Sequence, residues 1–142
     1  MGRVAAMPVT VVDTIDAFRS FLDDMRREDR RVGLVPTMGY LHDGHVSLMR
    51  RSAAECHITA VTIFVNPLQF GANEDLSSYP RDLPRDIERC DEAGVTIVLA
   101  PPVEEMYPEP MLTVVSVGEL GQTMEGAARP THFAGVLSLI HI

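Results

Sequence analysis

Val32-Gly-Leu-Val-Pro-Thr-Met-Gly-Tyr-Leu-His-Asp-Gly-His45, continuing through Val46-Ser-Leu-Met-Arg-Arg-Ser-Ala-Ala-Glu55 to Ile58-Thr-Ala-Val-Thr-Ile-Phe-Val65, is the stretch that decides the fold. Val32 to Val35 is a short apolar run bounded by Pro36, which reads as a buried strand ending at a loop. Val46 to Glu55 reads as a helix. Ile58 to Val65 is β-branched and almost continuously apolar, as expected of a strand covered on both faces. Strand, helix and strand over this length make a βαβ unit, so the sheet is parallel and the crossover right-handed.

The pattern extends in both directions. Upstream, Thr10 to Thr14 leads into a helix that Asp13 or Thr14 can cap, with Ile15, Phe18, Leu22 and Met25 forming one apolar stripe. The run Arg26-Arg-Glu-Asp-Arg-Arg31 is read as the solvated end of that helix, because two acids interrupt its arginines. Met1 to Pro8 is expected to be a frayed start. Downstream, Asn66 to Asn73 is loop by its Asn, Pro and Gly content. Leu83 to Ala93 is a helix with Pro84 in its first turn, Leu83, Ile87 and Cys90 inward, and Gly94 as its stop. Val95 to Leu99 is a third strand, ended by Pro101-Pro102. Leu112 to Val117 is expected to be a fourth, at an edge. The fold class is α/β, an open parallel Rossmann-like sheet with flanking helices.

Composition narrows the function classes. The chain has 142 residues, 46% hydrophobic and 23% charged, which fits one globular domain with a proper core. Its formal net charge of -8 repels nucleic acid and anionic membranes, so any phosphate must be met by a local site. Cys56 and Cys90 are isolated and read as reduced, buried thiols of a cytoplasmic protein. No apolar run is long enough to span a membrane, and Met1 to Pro8 holds no signal-peptide core.

The chemistry is expected where loops leave the carboxyl ends of the strands, at Pro36 to His45 and Asn66 to Asn73. His42-Asp-Gly-His45 stands where a helix begins. Gly44 lets the backbone approach a phosphate, and the helix N-terminus receives it with free N–H groups and a positive dipole. His42 and His45 add two imidazoles that can donate hydrogen bonds to phosphoryl oxygens as charge develops. The competing reading makes both histidines ordinary surface residues at a helix start. A zinc site built from His42, His45, Cys56 and His57 fails, because helix rise sets the two pairs roughly 16 Å apart.

Five ordered segments carry a family resemblance. They are Val35 to His45, Ile63-Phe-Val-Asn-Pro-Leu-Gln-Phe-Gly71, Asn73-Glu-Asp-Leu76 with Tyr79-Pro-Arg81, Glu105-Met-Tyr-Pro108, and Arg129-Pro-Thr-His-Phe-Ala-Gly135. In this order and near this spacing, from Thr10 to Val136, the chain resembles the pantothenate synthetase family. The resemblance implies a nucleotidylyltransferase-type Rossmann fold and an AMP-forming carbon–nitrogen ligase. Pantoate would attack the α-phosphate of ATP, with Mg²⁺ accompanying the nucleotide, and β-alanine would then displace AMP from the pantoyl-adenylate. It further implies that Met38, Gly39, Tyr40, Leu41, His42, Asp43, Gly44 and His45 bind ATP, with His45 and His42 catalytic. Gln69 would bind pantoate in a pocket lined by Pro36, Thr37, Met38 and Asn66. No protein-bound metal site is implied, and family members are usually homodimers.

The family pattern continues past the point matched by Val136 with a G-E-K-D-like segment and a serine-rich loop, neither found in this sequence. We therefore expect residues 1–136 to be an incomplete ATP- and pantoate-binding domain, with little ligase activity by itself. Leu137 to Ile142 matches the in-frame translation of a common transposase adapter, and we expect it to be a tail without packing partners. Two alternatives to the ligase stand on the same residues. One is a nucleotidyl transferase of the same fold, which would leave the Asn66 to Gly71 loop unexplained. The other is a non-catalytic nucleotide-binding module.

Overall fold

A computed structural model describes residues 8–71 and 74–141. The stretch before Pro8, expected to fray, lies outside the described residues, as do Asn73 of the third motif and Ile142 of the expected tail. The chain divides into two compact units, Met1–Phe64 with Pro80–Pro102 and Val65–Tyr79 with Val103–Ile142.

The first unit holds a four-stranded sheet of β1 (Thr10–Val12), β2 (Val32–Thr37), β3 (Ile58–Ile63) and β4 (Ile97–Leu99), in the order β1-β4-β3-β2. Every neighbouring pair is parallel, as the βαβ reading requires. Its helices are α1 (Ile15–Arg27), α2 (Asp43–Glu55) and α3 (Leu83–Glu92). Thr14 caps α1, its hydroxyl accepting the Ala17 N–H at 3.3 Å, and Phe18 and Leu22 of the apolar stripe are buried. The register aligns Val35, Val61 and Val98 across three strands. These valines pack with Met49 of α2 and Cys90 of α3 in one apolar cluster. Ala60, Ile97 and Leu99, of opposite parity, are also buried, which explains why β3 and β4 read as unbroken apolar runs.

Several boundaries differ from expectation for identifiable reasons. The fourth strand is Thr10–Val12, which pairs with β4, and not Leu112 to Val117. Three residues are too few to show a period, whereas Leu112 to Val117 has β-branched content but finds no ladder among the described residues; Leu112 is 97% exposed. Pro36 does not end β2 but lies inside it, opposite Thr62. The ladder explains this. Arg31 and Thr37 turn their carbonyls toward β3, accepting from Ile58 and Phe64, so residues of Pro36's parity face the other way. On an edge strand the missing N–H costs no ladder bond. Helix α2 starts earlier than expected, at Asp43, and Leu83 of α3 is 40% exposed, not inward.

Among the described residues the second unit contains α4 (Val103–Met106), α5 (Glu125–Ala128), α6 (His132–Leu137) and 3₁₀ turns at Pro67–Gln69, Leu76–Ser78, Gly118–Gln122 and Ser138–His141. Gly135 of α6 lies so close to the Leu68 carbonyl that an added Cβ would collide with it. Only glycine permits that approach. Ser138, expected to belong to an unpacked tail, is buried, and its hydroxyl donates to the Gly135 carbonyl at 2.6 Å. Among the described residues no helix is long and apolar enough to cross a membrane.

Candidate functional site

The loop between β2 and α2 is held from beneath by one acid. Asp86 on α3 is 1% exposed, and its two carboxylate oxygens accept the N–H groups of Tyr40 and Leu41, each at 2.7 Å. These bonds fix a sharp reversal, with φ of +81° at Gly39 and +50° at Tyr40. Glycine adopts that region freely; tyrosine does so at a cost of about 1–2 kcal/mol, which the Asp86 bond offsets. Thr37 completes the turn, its hydroxyl donating to the Thr62 carbonyl at 2.8 Å and accepting the Gly39 N–H at 3.2 Å. The Arg85 guanidinium lies 5.2 Å from the Tyr40 ring centre, and Arg89 pairs with Asp43 at 3.3 Å. One guanidinium nitrogen of Arg85, Nη1, is buried without a hydrogen-bond partner.

Beyond the turn, the two histidines cap α2 reciprocally. His42 Nδ1 accepts the Gly44 N–H at 3.1 Å, and His45 Nδ1 accepts the His42 N–H at 3.3 Å. A main-chain N–H can only donate, so both Nδ1 atoms are unprotonated and each neutral ring carries its proton on Nε2. The ring centroids are 4.0 Å apart. His45 is held below its ordinary pKa, first by partial burial and then by repulsion from His42 when that ring is protonated, with Asp86 opposing. The pair is therefore built as two neutral donors at the positive end of a helix.

This has a measurable consequence. We expect His45 in the folded protein to titrate below its ordinary value of 6.5 in an NMR titration of the imidazole protons. Because folding depresses its pKa, His45 contributes stability that is present above the unfolded value and lost as the pH falls through the folded one. A folded pKa at or above 6.5 would contradict the capping geometry.

The other candidate residues belong to the second unit. Asn66 is fully buried and caps the Pro67–Gln69 turn, with Gln69 9% exposed. Asn66 Nδ2 donates to Gln69 Oε1 at 3.1 Å and to the Gly135 carbonyl at 2.8 Å. Its Oδ1 accepts the Leu68 N–H and the Tyr107 hydroxyl, both at 3.0 Å. Arg129 donates to the Gln69 carbonyl at 2.8 Å and pairs with Glu74 at 2.8 Å. Glu74 is held below its ordinary pKa chiefly by the Gly71 N–H, with Arg129 adding to it. An apolar hollow of about 510 Å³, lined in part by Met106, Met111, Leu112 and Leu137, includes none of the predicted site residues.

Residues 36–45 thus run from the end of β2 through one turn into the first residues of α2, within the first unit, and Asn66 and Gln69 belong to one turn in the second. Sequence reasoning missed Asp86, although its spacing to Cys90 puts an acid on the inward face of α3, which was a signal. It also missed the structural work of Tyr107, Arg129 and Gly135 around Gln69. Cys90, pushed up to about 12 by burial and then by the charge of Asp86, is an unreactive core thiol.

A sequence profile of the pantoate-beta-alanine ligase family matches residues 10–141. The pantothenate synthetase of Rhizobium johnstonii is 58% identical over 130 residues, covering 92% of this chain and 43% of that protein. A crystal structure of pantothenate synthetase from Thermus thermophilus matches with a TM-score of 0.84 at 48% identity, covering 94% of this chain and 47% of that one. The pantoate-beta-alanine ligase of Francisella tularensis, complexed with beta-gamma ATP and beta-alanine, matches with a TM-score of 0.86 at 34% identity, covering 94% and 51%. The chain spans about half the length of these relatives. The likeness bears out the resemblance carried by the five motifs, and with it the nucleotidylyltransferase-type fold.

Proposed function

This chain belongs to the pantoate-beta-alanine ligase family, and from that premise we propose that it supplies the ATP- and pantoate-binding part of the ligase. The reaction condenses pantoate with β-alanine in two steps. A pantoate carboxylate oxygen forms a bond to the α-phosphorus of ATP as the bond to the pyrophosphate oxygen breaks. The β-alanine amine then attacks the acyl carbon, AMP leaves with the bonding electron pair, and the amine loses a proton. No protein nucleophile is required, so positioning and charge stabilisation carry the rate. The complex of the Francisella tularensis relative with beta-gamma ATP and beta-alanine supports these substrates.

The observation that carries the reading is the reciprocal capping of His42 and His45. It leaves two neutral Nε2–H donors at the start of α2, suited to phosphoryl oxygens that gain charge as pyrophosphate departs. Residues 38–45 are assigned to ATP, with His45 as the principal donor and His42 as its partner. The amides of Tyr40 and Leu41 are already committed to Asp86, so they shape the loop while other groups meet the phosphates. Arg85 and Arg89 add positive charge beside it. Mg²⁺ enters as part of the nucleotide substrate, and no step is assigned to a resident metal. Gln69 is assigned to pantoate, with Pro36, Thr37, Met38 and Asn66 as supporting residues. We place the reaction in the cytoplasm, in a homodimeric enzyme with no nucleic-acid or membrane partner. Soluble small substrates and the unpaired thiols of Cys56 and Cys90 agree with this.

Calorimetric titration with ATP and with pantoate tests the assignment. The unmodified chain is expected to bind both. Gln69→Ala is expected to weaken pantoate by about 1.5–3 kcal/mol, the worth of hydrogen bonds to a charged group, while ATP affinity is nearly unchanged. Equal loss of both ligands would make the turn merely structural. Binding of ATP alone by the unmodified chain would favour a plain nucleotide-binding module.

A further inference from the structure

His132, on α6 in the second unit, is partly buried and lies beside the turn that carries Gln69. Its Nδ1 is 3.5 Å from the Gln69 carbonyl oxygen. A carbonyl can only accept, so Nδ1 carries a proton and donates it. In the neutral ring Nε2 is then a bare lone pair, and no group among the described residues bonds to it. His42 and His45 are the reverse, since their Nδ1 atoms accept main-chain N–H groups and their Nε2 atoms are the donors. The charges around His132 also balance. The Arg129 guanidinium donates to the same carbonyl at 2.8 Å, and it is paired with Glu74 at 2.8 Å and with Glu125 at 3.6 Å. A proton arriving on Nε2 therefore meets no uncompensated cation.

We propose that His132 Nε2 is the general base of the second step, taking a proton from the ammonium of β-alanine. The proposal rests on the reading that Gln69 meets pantoate, and it adds the acceptor for a proton that this step must shed. An aliphatic amine is an ammonium at neutral pH, and an ammonium has no electron pair with which to attack. One N–H bond of the ammonium breaks and its proton passes to Nε2. The freed pair forms the bond to the acyl carbon, the bond from that carbon to the AMP oxygen breaks with its electrons, and a second proton leaves the nitrogen for water. His132 is tied to the main chain of the residue assigned to the acid, so base and acyl group share one frame.

His132→Asn separates this role from a structural one, because the asparagine amide can still donate to the Gln69 carbonyl while Nε2 is gone. The substitution is made at the matching position of a full-length family member. Single-turnover amide formation from preformed pantoyl-adenylate and β-alanine is expected to slow about 100-fold or more, the usual worth of a positioned base, with pyrophosphate release within a few-fold. Hydroxylamine, an amine largely unprotonated at neutral pH, then replaces β-alanine. It needs no base, so the variant should form the hydroxamate at close to the unmodified rate. Equal slowing with both amines, or a β-alanine step within a few-fold of the unmodified enzyme, would overturn the proposal. A further measurement needs neither substrate nor variant. In ¹⁵N NMR of this chain, neutral His132 should be protonated on Nδ1 and bare on Nε2, with His42 and His45 reversed. An Nε2–H tautomer of His132 overturns the proposal whatever ligand binds. If the unmodified chain binds neither ATP nor pantoate, the ligase reading of this chain falls separately, and the tautomer and the comparison of amines still decide the base.

Discussion

Under the proposed function, His45→Ala at the matching position of a full-length family member is expected to slow adenylate formation about 100- to 1,000-fold, the usual effect of removing one donor aimed at developing charge. Pantoate affinity should stay within a few-fold, because Gln69 and its supporting turn are left intact. The argument rests on what the ring does in the folded protein. With Nδ1 accepting the His42 N–H, His45 presents only Nε2–H outward. That donor is neutral and fixed, so it gains most when a phosphoryl oxygen becomes more negative in the transition state. Alanine removes the donor and also uncaps one amide, so thermal melting must be followed beside the kinetics. Single-turnover pyrophosphate release is the measurement. An unchanged rate in a folded variant would remove His45 from the chemistry.

Asp86→Ala is expected to cost about 3 kcal/mol of stability in the first unit, since it deletes the acceptor of two charge-assisted bonds. Leu41 N–H would be left buried without a partner, and the positive φ of Tyr40 would lose the bond that offsets its strain. Asp86→Asn should rescue little. An amide offers one oxygen, so one of the two loop N–H groups would then face an NH₂. Both variants are expected to weaken ATP binding, because the loop that precedes His42 would lose its fixed shape. Denaturant unfolding combined with ATP calorimetry checks this. A melt unchanged by Asp86→Ala would mean that the loop is held by something else.

How much of this was legible in the sequence depended on the range of the interactions. Ile58 to Ile63 could be read directly, because burial on both faces imposes a continuous β-branched run. The loop ending in His45 was legible as well, since a strand, a glycine-containing turn and a helix start follow one another within a few residues. Thr10–Val12 was not, because its identity as a strand comes from pairing with Ile97–Leu99 and not from its own pattern. Leu112 to Val117 failed for the opposite reason: β-branched side chains invite a strand, but a ladder also needs a neighbour. Asp86 lay in view on the inward face of α3 and was overlooked because a lone acid on a helix is ordinarily solvated. The orientation of Asn66 could not be read at all, since it depends on Gly135, 69 positions away.

Pro36 bears on how this protein behaves when crowded against its own copies. The outward edge of β2 is where an added strand would dock, and Leu34, 53% exposed, would reward it with apolar contact. A strand arriving there would meet a missing rung opposite Pro36, since that position has a carbonyl to offer but no N–H. Extension of the sheet along that side loses a ladder bond at Pro36, which disfavours edge-to-edge pairing and fibril growth. One imino acid therefore blunts this edge of a parallel sheet whose strands are otherwise rich in the residues that aggregate most readily.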